Sequence, residues 1–193
     1  MSKNTMLTIF FLSSALYISC NEEEQRVEVG QNGLIEIREG FSTNHADYER
    51  ALKYIRENKP QEAIKVYKKL CRIEDDSLRT GAYMGLGSAY LFAGEYQNAI
   101  SCYNKSIKLD STNVESYVGL GSAYFTLKDY EKAISCYQEA KKINPNNSNS
   151  YWGLAIAYNG IGRMDSAKAN GKKFILLEPN SKYNNLIRDI INK

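Results

Sequence analysis

The sequence predicts an all-α fold: a solenoid of about four stacked helix pairs, closed by a capping helix at the C-terminus. Three observations lead to this prediction. A motif of aromatic and small residues recurs every 34 residues, each copy has the spacing of one helix face, and an alanine stands behind each copy. Such periods are typical of folds in which one helical unit stacks on the next, because a single unit cannot bury its own apolar face.

The repeated motif reads Tyr-x2-Leu-Gly-x2-Tyr in two copies, and a third copy has alanine in place of the glycine. Its marked residues lie at i, i+3, i+4 and i+7, so they form one stripe along a helix. The copies are Tyr83–Tyr90, Tyr117–Tyr124 and Tyr151–Tyr158, with a weaker one at Ala51–Tyr54. A second helix follows each copy and carries Ala63 and Tyr67, Ala99 and Tyr103, Ala133 and Tyr137, or Ala167 and Gly171.

This pattern resembles the tetratricopeptide repeat (TPR), a helix–turn–helix unit of the same length. Tyr replaces the leading Trp of the family pattern, and Pro145 and Pro179 stand where its closing proline falls. The resemblance covers residues 44–180 and implies a right-handed α-solenoid that binds other proteins. The predicted repeats span residues 44–77, 80–113, 114–147 and 148–181.

The mid-helix glycines of the repeats predict how the two helices of a pair pack. Glycine at mid-helix costs about 1 kcal/mol against alanine, so Gly87 and Gly121 indicate close contact with a second helix. We expect Ala99 and Ala133 on that second helix to face them.

The last segment, residues 181–193, has apolar residues at helical spacing but matches no repeat. We predict that it caps the last exposed face of the solenoid.

The N-terminus predicts export. Lys3 is the only charge before residue 22, and the apolar run Met6–Ile18 follows it. This run is too short to cross a bilayer core about 30 Å thick. With the small residue Ser19 behind it, residues 1–19 are typical of a secretory signal peptide.

Ser19-Cys20 resembles the lipobox of bacterial lipoproteins. The resemblance implies acylation of Cys20, contact with a membrane through that lipid, and a place in the bacterial outer membrane, facing the periplasm or the cell surface. Cleavage without lipidation stays open, because Tyr17 stands where the family usually has Leu.

Residues 20–43 form a predicted lipidated, acidic tether. The run Asn21–Glu24 is similar to the tags that route some bacterial lipoproteins to the outer cell surface, and it is equally typical of a solvated spacer. Val27–Val29 and Leu34–Ile37 alternate like strands around Asn32-Gly33, a favoured hairpin turn. A short hairpin is therefore an alternative to a mostly extended tether, although an isolated one is marginal in water.

The charge balance argues against nucleic acid as a partner. The 193-residue chain has 25 Lys and Arg against 22 Asp and Glu, and removing Lys3 with the signal leaves 24 against 22. Nucleic-acid-binding domains carry a clear basic excess. Of the 15 tyrosines, twelve occupy recurring repeat positions, so we interpret them as packing residues rather than a stacking platform.

The sequence offers no motif for metal binding or catalysis. Cys102 and Cys136 occupy equivalent places in stacked repeats, farther apart than the roughly 7 Å between Cα atoms that a disulfide allows. His45 is the only histidine, and neither a close cysteine pair nor a Gly-rich phosphate loop is present. We therefore expect no disulfide there, no metal, no cofactor and no enzymatic activity.

The family resemblance also places a binding surface. In such solenoids the first helix of each pair lines a concave groove that holds an extended peptide or a partner helix. One residue past each core marker turns about 100° around the helix, onto that face. The predicted groove residues are Tyr48, Leu52, Ile55, Met84, Ser88, Leu91, Val118, Ser122, Phe125, Trp152, Ile156 and Asn159.

Three alternatives concern this groove. Some family members clamp a C-terminal carboxylate with Lys, Arg and Asn at these places, but the basic residues are missing here, so that function does not carry over. Another possibility is that the apolar segment 27–37 covers part of the lining. The third is that Trp152 fills space between repeats instead of contacting a partner.

Together, these observations predict a non-catalytic, lipid-anchored adaptor that binds a protein or peptide partner at the cell envelope. Two narrower functions stay open. One is an outer-membrane or pilus-secretin assembly lipoprotein, because known lipoproteins of that role carry such repeats. The other is an accessory subunit that presents substrate to an envelope enzyme or importer. The partner's identity distinguishes them.

Overall fold

The computed structural model describes the backbone of residues 8–12, 15–20, 23–29, 35–38 and 41–192, and the side chains of residues 44–192. Within residues 41–192 the chain forms nine α-helices joined by short turns. They are α1 (Phe41–Arg56), α2 (Pro60–Leu70), α3 (Asp76–Phe92), α4 (Tyr96–Leu109), α5 (Val114–Thr126), α6 (Tyr130–Ile143), α7 (Ser148–Gly160), α8 (Met164–Leu177) and α9 (Asn184–Asn192).

The predicted helical solenoid is confirmed. Helices α1 to α8 form four consecutive pairs, each helix packs on the next one in sequence, and α9 packs on α8. The second helix of each pair buries its marker alanine completely: Ala63, Ala99, Ala133 and Ala167 are all 0% exposed. Buried tyrosines join these alanines in the core, with Tyr67 and Tyr103 each 2% exposed and Tyr137 1% exposed.

Four short strands precede the helices and add a small sheet that the all-α prediction did not include. They are β1 (Thr8–Leu12), β2 (Ala15–Cys20), β3 (Glu23–Val29) and β4 (Ile35–Arg38), paired antiparallel in that order. Val27 lies opposite Ile37, which is the pairing of the hairpin alternative. The turn Asn32-Gly33, residues 1–7 of the predicted signal peptide and residues 13–14 within it lie outside the described residues.

Recurring polar residues define where the helices begin. The first helices of the last three pairs each have a side-chain cap that satisfies a free backbone N–H of the first turn. These caps are Asp75 accepting from Leu78, Asn113 from Ser116, and Asn147 from Ser150, each at 2.9 Å. The turn inside every pair contains one residue of positive φ: Asn58, Gly94, Lys128 or Gly162.

The mid-helix glycines face tyrosine rings. A Cβ atom added at Gly87 would lie 2.9 Å from Tyr103, and one added at Gly121 would lie 2.7 Å from Tyr137. The tyrosine four residues beyond Ala99 or Ala133 on the same second helix fills the space at each glycine, a contact that the prediction did not include. The predicted close approach of that second helix is correct.

Each of these tyrosines also reaches the next repeat. A Cβ atom at Gly153 of α7 would lie 2.5 Å from the same Tyr137 ring that contacts Gly121 of α5. Gly119 of α5 meets the Tyr103 ring in the same way. One tyrosine ring of a second helix therefore lies between glycines of two successive first helices. The ring fits there only because neither glycine carries a side chain.

The capping helix accounts for the irregular fourth repeat. Ile187 and Ile190 of α9 are 0% and 4% exposed and pack in one cluster with Ala155, Ala167 and Phe174. A Cβ atom at Gly171 would lie 2.9 Å from Ile187. Gly171 therefore replaces the aromatic of the other repeats because α9, rather than a further repeat, occupies the neighbouring space.

We expect Gly121→Leu to destabilise the protein by at least about 1 kcal/mol, because inserting atoms into a packed core costs about 1–3 kcal/mol. The matched control is Ser135→Leu, which places the same side chain at an exposed position of α6 and should change the stability by no more than about 0.5 kcal/mol. Chemical denaturation monitored by circular dichroism measures both. Equal midpoints for the two variants would contradict the packing around Tyr137.

Candidate partner-binding groove

The first helices of the pairs lie on the inner side of the solenoid. Helix α3 contacts α1 and α5 directly, and α5 contacts α7. Within residues 41–192 no comparable contact joins α2 to α4 or α4 to α6. Elements on the inside of a curve approach one another, whereas those outside spread apart, so the odd-numbered helices form the concave face.

All twelve predicted groove residues lie on these inner helices. Leu52 is 40% exposed and the other eleven are half-buried. The half-buried apolar side chains contact the core clusters below them: Tyr48, Ile55, Met84 and Leu91 the first, Val118 and Phe125 the second, and Trp152 and Ile156 the third. The inner face is thus continuous with the core and mostly apolar.

Two serines of the inner face connect to the buried tyrosines. The Ser88 hydroxyl lies 3.1 Å from the Tyr103 hydroxyl and donates to the backbone oxygen of Met84 at 3.2 Å. Ser122 repeats this arrangement, with its hydroxyl 3.2 Å from that of Tyr137. Burial raises the pKa of both tyrosines to about 12, and the hydrogen bond with the serine partly offsets this rise. Both phenols therefore stay neutral and hydrogen-bonded at physiological pH.

Tyr48 has its hydrogen-bonding capacity engaged within the solenoid. Its hydroxyl donates to the backbone oxygen of Leu78 at 2.7 Å, and its ring meets the edge of Tyr67 with 5.9 Å between centroids. Burial raises the pKa of Tyr48. The side chain therefore joins α1 to α3 and presents only part of its ring to the groove.

Trp152 packs against the capping segment. Its ring centroid lies 5.5 Å from that of Tyr183, and it contacts the cluster that includes Ile187 and Phe174. Its Nε1 atom is buried and has no hydrogen-bond partner in the described part of the chain. These contacts favour the space-filling alternative for Trp152 at the C-terminal end of the groove.

Sequence reasoning missed one exposed aromatic on the inner helices. Phe92, at the end of α3, is 65% exposed. It follows Ser88 by four residues and so continues the same stripe one turn farther on. The i+4 spacing from Ser88 would have predicted Phe92 as a groove residue, but the predicted set on this helix ended one residue earlier, at Leu91.

The three cysteines that follow the predicted acylation site Cys20 are free thiols. Cys102 is buried, and Cys71 and Cys136 are half-buried. Burial raises the pKa of Cys71 to about 12 and that of Cys136 to about 11, so these thiols stay protonated and weakly reactive. Among the described residues, no three His, Cys, Asp or Glu side chains come together as metal ligands, and no helix has the length and apolar character that a membrane crossing requires.

Two family models match the middle of the chain. A model described as tetratricopeptide repeat matches residues 114–147, and another described as TPR repeat matches residues 87–128. No functionally curated protein matches the sequence. TPR repeats are thus recognised within the chain, in the region where α3 to α6 form the central pairs.

Solved structures of TPR proteins share the fold. A crystal structure of MamA is 26% identical and covers 74% of this chain and 86% of its own, with a TM-score of 0.61. The first TPR of Spaghetti (RPAP3), bound to the HSP90 peptide SRMEEVD, is 28% identical and covers 61% of this chain and 97% of its own, with a TM-score of 0.59. MamA from Desulfovibrio magneticus RS-1, 19% identical over 77% of this chain and 87% of its own, has a TM-score of 0.63 and supports the fold alone.

Because Trp152 is the only tryptophan, its fluorescence reports on the packing of the capping segment. We expect Tyr183→Ala to shift the emission maximum to longer wavelength, since water then reaches the indole that Tyr183 covers. Steady-state fluorescence of the folded protein measures this shift. Tyr96→Ala removes a half-buried tyrosine of α4 instead and should leave the maximum unchanged. An unshifted spectrum for Tyr183→Ala would show that Trp152 does not depend on the cap.

Proposed function

We propose that this protein is a non-catalytic adaptor that binds an apolar segment of a partner protein in its concave groove, and that an acylated Cys20 holds it at the bacterial cell envelope. The observation that carries the proposal is the chemistry of the inner face. Its twelve predicted positions hold apolar, hydroxyl and amide side chains and no Lys or Arg, so they suit an uncharged segment.

Comparison with a peptide-bound relative sharpens the ligand class. The TPR of Spaghetti (RPAP3) has the acidic peptide SRMEEVD bound to it. An acidic segment in this groove would lose its hydration without gaining a cationic partner at the twelve positions, which costs free energy. We therefore infer that the partner presents apolar side chains, as an extended segment or as one face of a helix.

The accessible apolar side chains lie near the N-terminal half of the groove. Leu52 and Phe92 are 40% and 65% exposed, while Trp152 is partly covered by Tyr183. Exposed apolar residues next to a packed floor are typical anchor points for a partner. The first two repeats therefore make the main contact in this proposal.

The anchor is proposed on the sequence alone. The short apolar run before Ser19-Cys20 supports export and acylation, and several acyl chains, each contributing about 0.8 kcal/mol per buried CH2, hold a protein stably on a membrane. Two narrower functions are specific forms of this anchored adaptor. One is an outer-membrane or pilus-secretin assembly lipoprotein, and the other is an accessory subunit that presents substrate to an envelope enzyme or importer.

Site-specific photocrosslinking in cells tests the groove. We expect a photoreactive phenylalanine analogue at Leu52 or Phe92 to give a discrete crosslinked product, because both side chains reach solvent on the inner helices. The matched control position is Leu176, which is 72% exposed on α8 and lies outside the predicted groove. Gel analysis and mass spectrometry of the adducts measure the result. The same adduct from all three positions, or none from the first two, would contradict a partner in the groove.

Metabolic labelling with a palmitate analogue tests the anchor. We expect the wild-type protein to be labelled and to fractionate with membranes, and Cys20→Ala to lose the label. Cys102→Ala, which removes a buried thiol of α4, controls for the loss of a cysteine and should stay labelled. Label that persists in Cys20→Ala would rule out acylation at this residue while leaving the groove proposal intact.

A further inference from the structure

A cleft of about 350 Å³ opens between α2 and α4, on the opposite side of the solenoid from the groove. Lys68 and Arg72 line one wall, Ser101 and Lys105 line the other, and Tyr83 and Tyr90 of α3 lie between them. The volume is at the small end of the range of ligand sites. We call this the outer cleft.

The outer cleft is electropositive. Its lining includes three cationic side chains and no carboxylate. The ammonium of Lys68 lies over the ring of Tyr90, 5.7 Å from its centroid, and that of Lys105 lies 5.4 Å from the centroid of Tyr83. Contact with the negative face of a ring attracts each ammonium toward the cleft, where its N–H groups can donate to a ligand.

Among the side chains that the structure describes, several basic residues of the helices are paired with carboxylates, whereas the cations of the outer cleft are not. Lys69 pairs with Asp47 at 2.9 Å, and Lys132 pairs with Asp129 at 2.6 Å. Within residues 44–192, none of the ion pairs involves a cation of the outer cleft.

The acidic residue near the cleft is already engaged. Glu95 accepts hydrogen bonds from Asn98 at 2.7 Å and from Gln61 at 3.2 Å. Its carboxylate also interacts electrostatically with Lys68, so it offsets part of the positive charge of the cleft. The remaining charge is left for a ligand to balance.

We propose that the outer cleft binds the phosphate group of a small phosphorylated ligand. A phosphate monoester carries close to two negative charges at neutral pH, which suits three cations better than a single carboxylate does. Arg72 supplies a planar pair of donors, and the two lysines and Ser101 supply donors from both walls. The tyrosine rings provide an apolar surface for the organic part of the ligand.

The next interface of the solenoid does not repeat this chemistry. Lys68 follows Tyr67 in α2, whereas Asn104 follows Tyr103 in α4. Lys105 lies two residues after Tyr103, and Glu139 takes the matching place in α6. The following interface keeps one cation, Lys108 at the place of Arg72, but has an acidic residue at the place of Lys105. The full basic set of the α2–α4 interface is therefore not imposed by the fold.

Nuclear magnetic resonance titration of the isotope-labelled full chain tests the proposal, with sn-glycerol 3-phosphate and inorganic phosphate as probes. We expect saturable amide shifts in α2 and α4. Replacing Lys68, Arg72 and Lys105 together by Gln should weaken binding at least tenfold, a loss of about 1.4 kcal/mol or more. The control replaces Lys108, Lys142 and Lys172, exposed lysines of α4, α6 and α8, by Gln. It alters the net charge equally and should leave the affinity within about twofold.

Vesicles of phosphatidylglycerol and of phosphatidylcholine distinguish the source of the phosphate. Stronger binding to phosphatidylglycerol that is lost only in the cleft variant assigns the phosphate to a lipid headgroup. Cleft-dependent binding of glycerol phosphate in solution assigns it to a free ligand, which we expect. Equal losses in the cleft and control variants, or the absence of saturable shifts near the cleft, would overturn the proposal without affecting the groove.

Discussion

The contact between a tyrosine ring and two glycines joins the repeats of this protein. Tyr103 and Tyr137 each lie between a glycine of their own pair and a glycine of the next pair. The same side chain therefore fixes the packing within a repeat and the distance between repeats. Solenoids derive their stability from such nearest-neighbour interfaces, so their spacing and curvature depend on these rings. At the end of the array Gly171 and Ile187 replace the contact, and a capping helix takes the place of a fifth repeat.

This contact also shapes the concave face. Ser88 and Ser122 lie on that face, and their hydroxyls meet the hydroxyls of Tyr103 and Tyr137 at 3.1 and 3.2 Å. Each serine hydroxyl is therefore already in contact with a buried tyrosine hydroxyl and is less available to a ligand. Specificity in the groove must then come mainly from its apolar side chains, which agrees with an uncharged partner segment. Any change that displaces a tyrosine should alter the groove and the repeat spacing together.

The sequence predicted the parts of the fold that depend on periodicity. The 34-residue period and the i, i+3, i+4, i+7 stripe located the helix pairs, and the marker alanines are buried as their spacing indicated. Spacing does not reveal how far a side chain reaches, so the contact of the Tyr103 ring with Gly87 was not predicted. Trp152 stays a predicted groove residue, but its contact with Tyr183 could not be predicted, because Tyr183 belongs to the capping segment, outside any repeat. Which of the groove residues contact a partner stays a prediction.

The two sides of the solenoid differ in what constrains their residues. On the inner side the odd-numbered helices touch one another, so their side chains serve the core and the surface at once, and most positions are half-buried. On the outer side, α2 and α4 do not contact each other directly. Positions such as Lys68 and Lys105 can therefore vary between repeats without disturbing the contacts between the tyrosine rings and the glycines. Asn104 and Glu139 at the matching places demonstrate that freedom. Packing alone therefore requires none of the cations at the α2–α4 interface, which leaves their chemistry free to serve the ligand proposed for the outer cleft.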